Sequence, residues 1–274
     1  MDIISLGVGL QSSALYFMSS NGELPRVDYA IFADPGREKK ITYRYLEFMK
    51  EWAAKNNGIP IITVDRKNLF RDMMEQMNST GQCFVSIPLY VKNPDGSVGM
   101  LRRQCTNEYK IEQVDWQIRQ LYGLAPRKWT PKTNVWQGIT LDEMQRMSFS
   151  NENWKTKIYP FCGYQATKTD VTKIDWGIKM YRDGVEAWFR ERGLPVPPKS
   201  SCTFCTYQSD YAWQEMKMDD PEAFQICCLL DEAIRHFGTV EAPCYLHESC
   251  IPLREVKFNQ TDIWRGNCAT DCHI

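Results

Sequence analysis

The chain opens on a short apolar, β-branched run at residues 2–7 (D-I-I-S-L-G) that ends in glycine, followed by S-S-A-L-Y-F-M-S-S with helical spacing. That order predicts a strand, a tight loop and a helix. The pattern recurs: D-Y-A-I-F-A-D (28–34) precedes a helical stretch at 42–56, and I-P-I-I-T-V-D (59–65) precedes another at 68–77. Strands alternating with helices favour a parallel sheet, since each crossover helix returns the chain to the same edge. Residues 83–104 instead place N-P-D-G between two extended segments, which predicts a hairpin or flap. A helix at 107–121 and strands at 133–140 and 157–161 complete the predicted sheet. A long helical pattern at 170–192 stops at Gly193, and P-V-P-P-K-S-S-C-T-F-C (195–205) breaks the chain before helices at 209–217 and 220–237. The expected fold is therefore α/β, a doubly wound parallel sheet of about five strands, Rossmann-like, over residues 1–193. Residues 194–274 are expected to form a helical, cysteine-rich C-terminal extension.

Composition narrows the function. The 274 residues are 43% hydrophobic and 24% charged, which suits a folded globular chain. No apolar run reaches the roughly 18–20 residues of a membrane span, and residues 1–7 read as a strand instead of a signal core, so a cytoplasmic protein without a membrane partner is expected. The net charge of -1 provides no overall field for a polyanion, so nucleic-acid contact would need a local patch. Eleven cysteines beside three histidines point to sulfur ligation, catalysis or plain burial in a reducing compartment.

Ser5 to Ser13 (S-L-G-V-G-L-Q-S-S) joins the first strand to the first helix. Glycines there let the backbone approach an anion, and a helix N-terminus offers N–H groups and positive potential. The same residues also suit a glycine turn leading into a serine-capped helix. The motif is neither a Walker loop nor a G-x-G-x-x-G fingerprint. Asp34 ends the second strand, either as a ligand contact or as a turn-former before Pro35-Gly36. Between Arg102 and Lys132 lie seven basic and three acidic residues, a solvated helix face or a nucleic-acid track. Cys105 within it is a buried thiol or a reactive one.

Taken in order, these segments resemble the phosphoadenosine-phosphosulfate reductase-like branch of the adenine-nucleotide α-hydrolase-like (PP-loop ATP pyrophosphatase) superfamily, in its bacterial and phage-type subset. The first loop is similar to the S-G-G-x-D-S pyrophosphate loop, and F-A-D-P-G-R-E (Phe32 to Glu38) to F-x-D-T-G-x-E. R-R-Q-C-T-N-E-Y-K-I (Arg102 to Ile111) resembles R-x-C-T-x-x-x-K, and G-I-T-L-D-E-M-Q-R (Gly138 to Arg146) resembles G-I-x-x-D-E-x-x-R. The likeness runs over residues 3–217. It implies ATP or a related adenine nucleotide with Mg2+, bound by Ser5, Gly7, Gly9, Gln11, Ser12, Ser13, Asp34 and Gly138. It also implies Asp34, Asp142 and Glu143 for metal or substrate orientation, with Arg103, Lys110 and Arg146 on anionic groups. Gln11 stands where the usual loop carries an acid, and Gly7 where it carries its first serine, which separates nucleotide binding from cleavage between the α- and β-phosphates.

The cysteines carry a second chemistry. Cys202-x-x-Cys205 and Cys268-x-x-x-Cys272 form two close pairs, the spacing with which four thiolates hold Zn2+ or a 4Fe-4S cluster. Cys227 and Cys228 are adjacent on a predicted helix and read as core, while Cys162, Cys244 and Cys250 are substitute ligands. The tail D-C-H-I partly resembles the E-C-G-x-H segment of sulfonucleotide reductases, which would make Cys272 a nucleophile. Three functions follow: adenylation of an unidentified acceptor, small molecule or nucleic acid, with pyrophosphate release; sulfonucleotide reduction through Cys272; or a non-catalytic nucleotide-sensing module. A homodimer is left open.

Overall fold

The computed structural model describes residues 1–259. Three strand-helix units come first: β1 (Asp2–Ser5) and α1 (Leu10–Ser20), β2 (Tyr29–Ala33) and α2 (Lys40–Lys55), β3 (Ile61–Val64) and α3 (Leu69–Met74). The hairpin β4 (Tyr90–Lys92) and β5 (Val98–Met100) follows, paired antiparallel around the N-P-D-G turn. A π-helical turn at Asn107–Ile111 runs into α4 (Glu112–Leu121), and β6 (Thr133–Trp136) is followed by a 3-10 turn at Leu141–Arg146. Then come β7 (Lys155–Tyr159), β8 (Tyr164–Ala166), β9 (Val171–Lys173), α5 (Arg182–Glu191), α6 (Asp210–Asp219), α7 (Pro221–Ala233) and β10 (Cys244–Tyr245).

The architecture is α/β, with a mostly parallel seven-stranded sheet in the order β3-β2-β1-β6-β7-β8-β9 flanked by helices. Strands β1, β2, β3, β6 and β7 pair in parallel, Ile4 lying opposite both Ala30 and Trp136. β8 and β9 add an antiparallel edge, so the expectation of about five strands holds for the parallel part and falls two short of the whole sheet. The helix expected over 170–192 is corrected as well: only Arg182–Glu191 is helical. Val171–Lys173 pairs with β8, and Gly177 lies so close to the Gly163 backbone that an added Cβ would come within 2.8 Å of its Cα. A helix through 170–181 would break both contacts.

Helix α1 is buried on every side from Leu10 to Ser19, so it behaves as a core element packed within the first apolar cluster together with Tyr45, Met49, Val185 and Phe189. A second cluster joins Leu69, Ile87 and Tyr109 to Phe204, Trp213, Cys227 and Leu253. Local capping starts the last helices where the sequence predicts them. Ser209 Oγ accepts from the Ala212 N–H, Asp220 from the Ala223 N–H, and Pro221 takes the first helical position. Asp231 is buried on α7 and accepts the N–H groups of Leu246 and Leu253, besides pairing with Arg235. One carboxylate thus ties two later segments to the helix. Among the described residues, no helix is long and apolar enough to cross a membrane.

Lys157 on β7 carries a testable cost. Burial lowers its ammonium pKa from 10.5 to about 8, neighbouring Lys155 adds repulsion, and Asp115 opposes both. Between about pH 8 and 10.5 the unfolded chain binds more protons here than the folded one, so this group's contribution to stability rises with pH across that window. In Lys157→Met the slope of unfolding free energy against pH over that range is expected to fall by about one proton relative to the wild type. Chemical denaturation at stepped pH checks this; identical slopes would refute it.

Candidate functional site at the carboxyl edge of the sheet

The order of the parallel strands reverses between β1 and β6, and ligands of open α/β sheets gather in the crevice outside the carboxyl ends at such a point. The loop Leu6–Gly9 leaves β1 there. Val8 is fully buried and held at φ 57°, left-handed backbone that costs a β-branched residue conformational energy. Gly9 caps α1 without a side-chain bond, and the N–H groups of the first turn have no intrahelical acceptors. Ser12 Oγ accepts from the Gly7 N–H at 3.2 Å and donates to the Gly9 carbonyl at 3.3 Å. Ser13 Oγ points to Met49 Sδ at 3.6 Å, so this hydroxyl ties α1 to α2. Ser5 lies on β1 itself and is buried.

Gly138, in the loop after β6, lies against the start of α1. A Cβ there would come within 2.6 Å of the Ser12 backbone nitrogen and 2.7 Å of the Gln11 carbonyl carbon. Thr140, next in that loop, is buried with no hydrogen-bond partner for its hydroxyl in the structure. The 3-10 turn then brings Glu143 to Gln11, whose Nε2 donates to Glu143 Oε2 at 3.2 Å. Arg146 pairs with the same carboxylate at 2.6 Å, and Arg182 lies 3.9 Å from its other oxygen. Asp142 accepts the Arg182 N–H at the start of α5. Gln11, Glu143 and Arg146 therefore form one network, a grouping that spacing alone does not reveal. Cys162, beneath it, donates to the Ile139 carbonyl. Burial, with Asp142 and Glu143 nearby, pushes its thiol up to about 11 and keeps it protonated at neutral pH.

Asp34 ends β2, and its Oδ1 accepts the Gly36 N–H and the Tyr43 hydroxyl, each at 2.8 Å. The turn-forming role is thus present. Tyr43 also accepts the Glu38 N–H; burial, followed by the Asp34 and Glu38 charges, holds its phenol well above the usual range. Glu38 was not singled out by sequence, yet its carboxylate is wholly buried and pairs with Lys110 at 3.0 Å. Lys110 sits in the π-helical turn, a geometry frequent at functional sites. Ser200 Oγ and Cys202 Sγ approach Glu38 at 3.5 and 3.9 Å, and an antiparallel bridge joins Glu38 to Cys202. Two quoted motifs, F-A-D-P-G-R-E and P-P-K-S-S-C-T-F-C, thus meet. The only sequence signal for Glu38 was its place at the end of the first.

Arg103, Cys105, Lys110, Cys202, Cys205 and Tyr207 line one small cavity of about 30 Å³. Cys268 and Cys272 lie outside the described residues. Among the described residues, no three His, Cys, Asp or Glu side chains are grouped as metal ligands. The remaining candidates are core thiols. Cys227 and Cys228 pack in the second cluster, and burial pushes Cys227 up to about 12 and Cys244 up to about 11, with Cys250 raised for the same reason. Comparison with protein-family models, curated proteins and solved structures finds no match for this chain.

Proposed function

We propose that the protein binds ATP with Mg2+ at the carboxyl edge and adenylates an acceptor. The observation that carries this reading is the β1-to-α1 turn: a loop with buried Val8 in left-handed backbone, feeding a helix whose N-cap Gly9 makes no side-chain bond, at the point where strand order reverses. First-turn N–H groups and Ser12 would receive the phosphates, with Asp34, at the end of the neighbouring strand β2, as the carboxylate proposed for Mg2+. Glu143 is neutralised by two arginines and serves to orient Arg146 and Gln11. In the reaction an acceptor oxygen forms a bond to the α-phosphorus, the bond from that phosphorus to the bridging oxygen breaks, and pyrophosphate leaves with the electron pair.

The described segment 194–259 is proposed to lie beside this edge, where Cys202 bridges to Glu38. Cys202 and Cys205 are one of the two cysteine pairs proposed to hold Zn2+ or an iron-sulfur cluster; the other pair, Cys268 and Cys272, lies outside the described residues. Such a group would supply a structural clasp or electrons, according to its identity. A second reading, nucleotide sensing without cleavage, is favoured by Gln11, whose amide is bonded to Glu143 in place of the acid expected there.

One assay separates the two. ATP is expected to raise the thermal midpoint, growing with the logarithm of ligand concentration above Kd. Release of pyrophosphate and AMP or an adenylated product with an acceptor present supports adenylation; stabilisation without turnover supports sensing; neither effect refutes both.

A further inference from the structure

We infer that the opposite edge of the sheet carries a binding groove for single-stranded nucleic acid, independent of the nucleotide reading. The groove encloses about 750 Å³ and is walled by the end of α4, the loop leading into β6 and the loop leading into β7. It therefore lies at the amino ends of the parallel strands, away from the loop after β1. Five cations line it, Arg119, Arg127, Lys128, Lys132 and Lys168, against one acid, Glu152. On a chain with a net charge of -1, this is a local concentration of positive potential.

The groove also holds three tryptophans. Trp116 and Trp154 are half-buried and rooted in an apolar cluster under the sheet, with Arg66 stacked 4.0 Å from the Trp116 ring centroid. Trp129 is 90% exposed. A tryptophan held in water forgoes the burial that normally accompanies so large an apolar surface. The loop that presents it is built with care: Arg119 donates to the carbonyls of Ala125 and Lys128 and to Thr130 Oγ1. Arg119 thus fixes the segment that places Arg127, Lys128 and Trp129 outward. Lys132 Nζ donates to the Asn153 carbonyl at 2.6 Å and joins the two loops across the groove.

Cations spaced beside exposed indoles match a ligand that alternates phosphates with planar bases. Single strands offer both, whereas a duplex keeps its bases stacked away from a side chain such as Trp129. An acidic peptide would use the cations and leave the indole unexplained.

The test uses the full chain without ATP and fluorescein-labelled oligo(dT) and oligo(U) of about twelve nucleotides, read by anisotropy across a KCl series. Binding is expected to weaken with salt, with a slope of log K against log[salt] of about -2 for three phosphate contacts, from Arg127, Lys128 and Lys168. Trp129→Ala is expected to weaken binding roughly tenfold. Arg127→Glu with Lys128→Glu should weaken it further and flatten the salt slope; circular dichroism checks that these surface variants stay folded. The inference is overturned if neither strand binds at low salt, if Trp129→Ala binds as tightly as the wild type, or if a duplex or poly-glutamate binds as well as the single strands. Because no nucleotide is present, failure of adenylation leaves this result untouched.

Discussion

Replacing Glu38 with alanine is expected to remove about 3–5 kcal/mol of stability, because it leaves the Lys110 ammonium buried without its carboxylate. The Glu38 side chain is fully buried, that of Lys110 is 10% exposed, and the two charges meet at 3.0 Å. A pair in this setting contributes little net stability compared with two apolar residues, since both charges were desolvated to form it. Removing one partner is a different matter. The double variant Glu38→Ala with Lys110→Met should therefore lose much less than the single variants Glu38→Ala and Lys110→Met added together. Urea unfolding of the four proteins closes the cycle. A loss below about 1 kcal/mol in Glu38→Ala, or strict additivity in the double variant, would mean that the pair is solvated in solution.

Gly138→Ala is expected to show the second large effect, on both folding and the proposed ligand. The new methyl would meet the Ser12 nitrogen at 2.6 Å and the Gln11 carbonyl carbon at 2.7 Å. These are backbone atoms of the α1 start and cannot rotate away. Overpacking of this kind costs about 1–3 kcal/mol. It also moves the N–H groups assigned to phosphate, so the ATP-dependent rise in thermal midpoint should vanish. Gly99→Ala is the control: its methyl would meet the Val91 Cγ2 at 3.2 Å, a side-chain end that can shift, and ATP stabilisation should be retained. Full ATP stabilisation in Gly138→Ala would detach the proposed phosphate site from the α1 N-terminus.

The parts of this molecule that sequence makes legible are those governed by near neighbours in the chain. β1, β2 and β3 are apolar runs bounded by turn residues, and the β4–β5 hairpin follows from N-P-D-G. Residues 170–181 mislead because Val171, Ile174, Ile178 and Tyr181 have helical spacing while Ile174 and Ile178 pack against the first core from an extended, turning chain. The close approach of Gly177 to Gly163 is invisible without the fold. The same holds for the site. Gln11, Asp34, Asp142, Glu143 and Arg146 follow strands and could be named in advance, yet the bond from Gln11 to Glu143 spans 132 positions and that from Ser200 to Glu38 spans 162. Side chains so far apart carry no mutual signal in one sequence.

The second apolar cluster has a consequence for how the chain is made. It combines residues 69–109 with residues 202–256, and the intervening segment supplies α4, strands β6 to β9 and α5 to the central sheet and its flanking helices. At about 5–20 residues per second, the first contributors leave the ribosome on the order of ten seconds before their partners. During that interval Ile87, Leu89 and Tyr109 have only part of their final packing. The newborn chain thus passes through a stage at which the early α/β units can fold while a sticky flank waits uncovered, and this is where a holding chaperone would engage it.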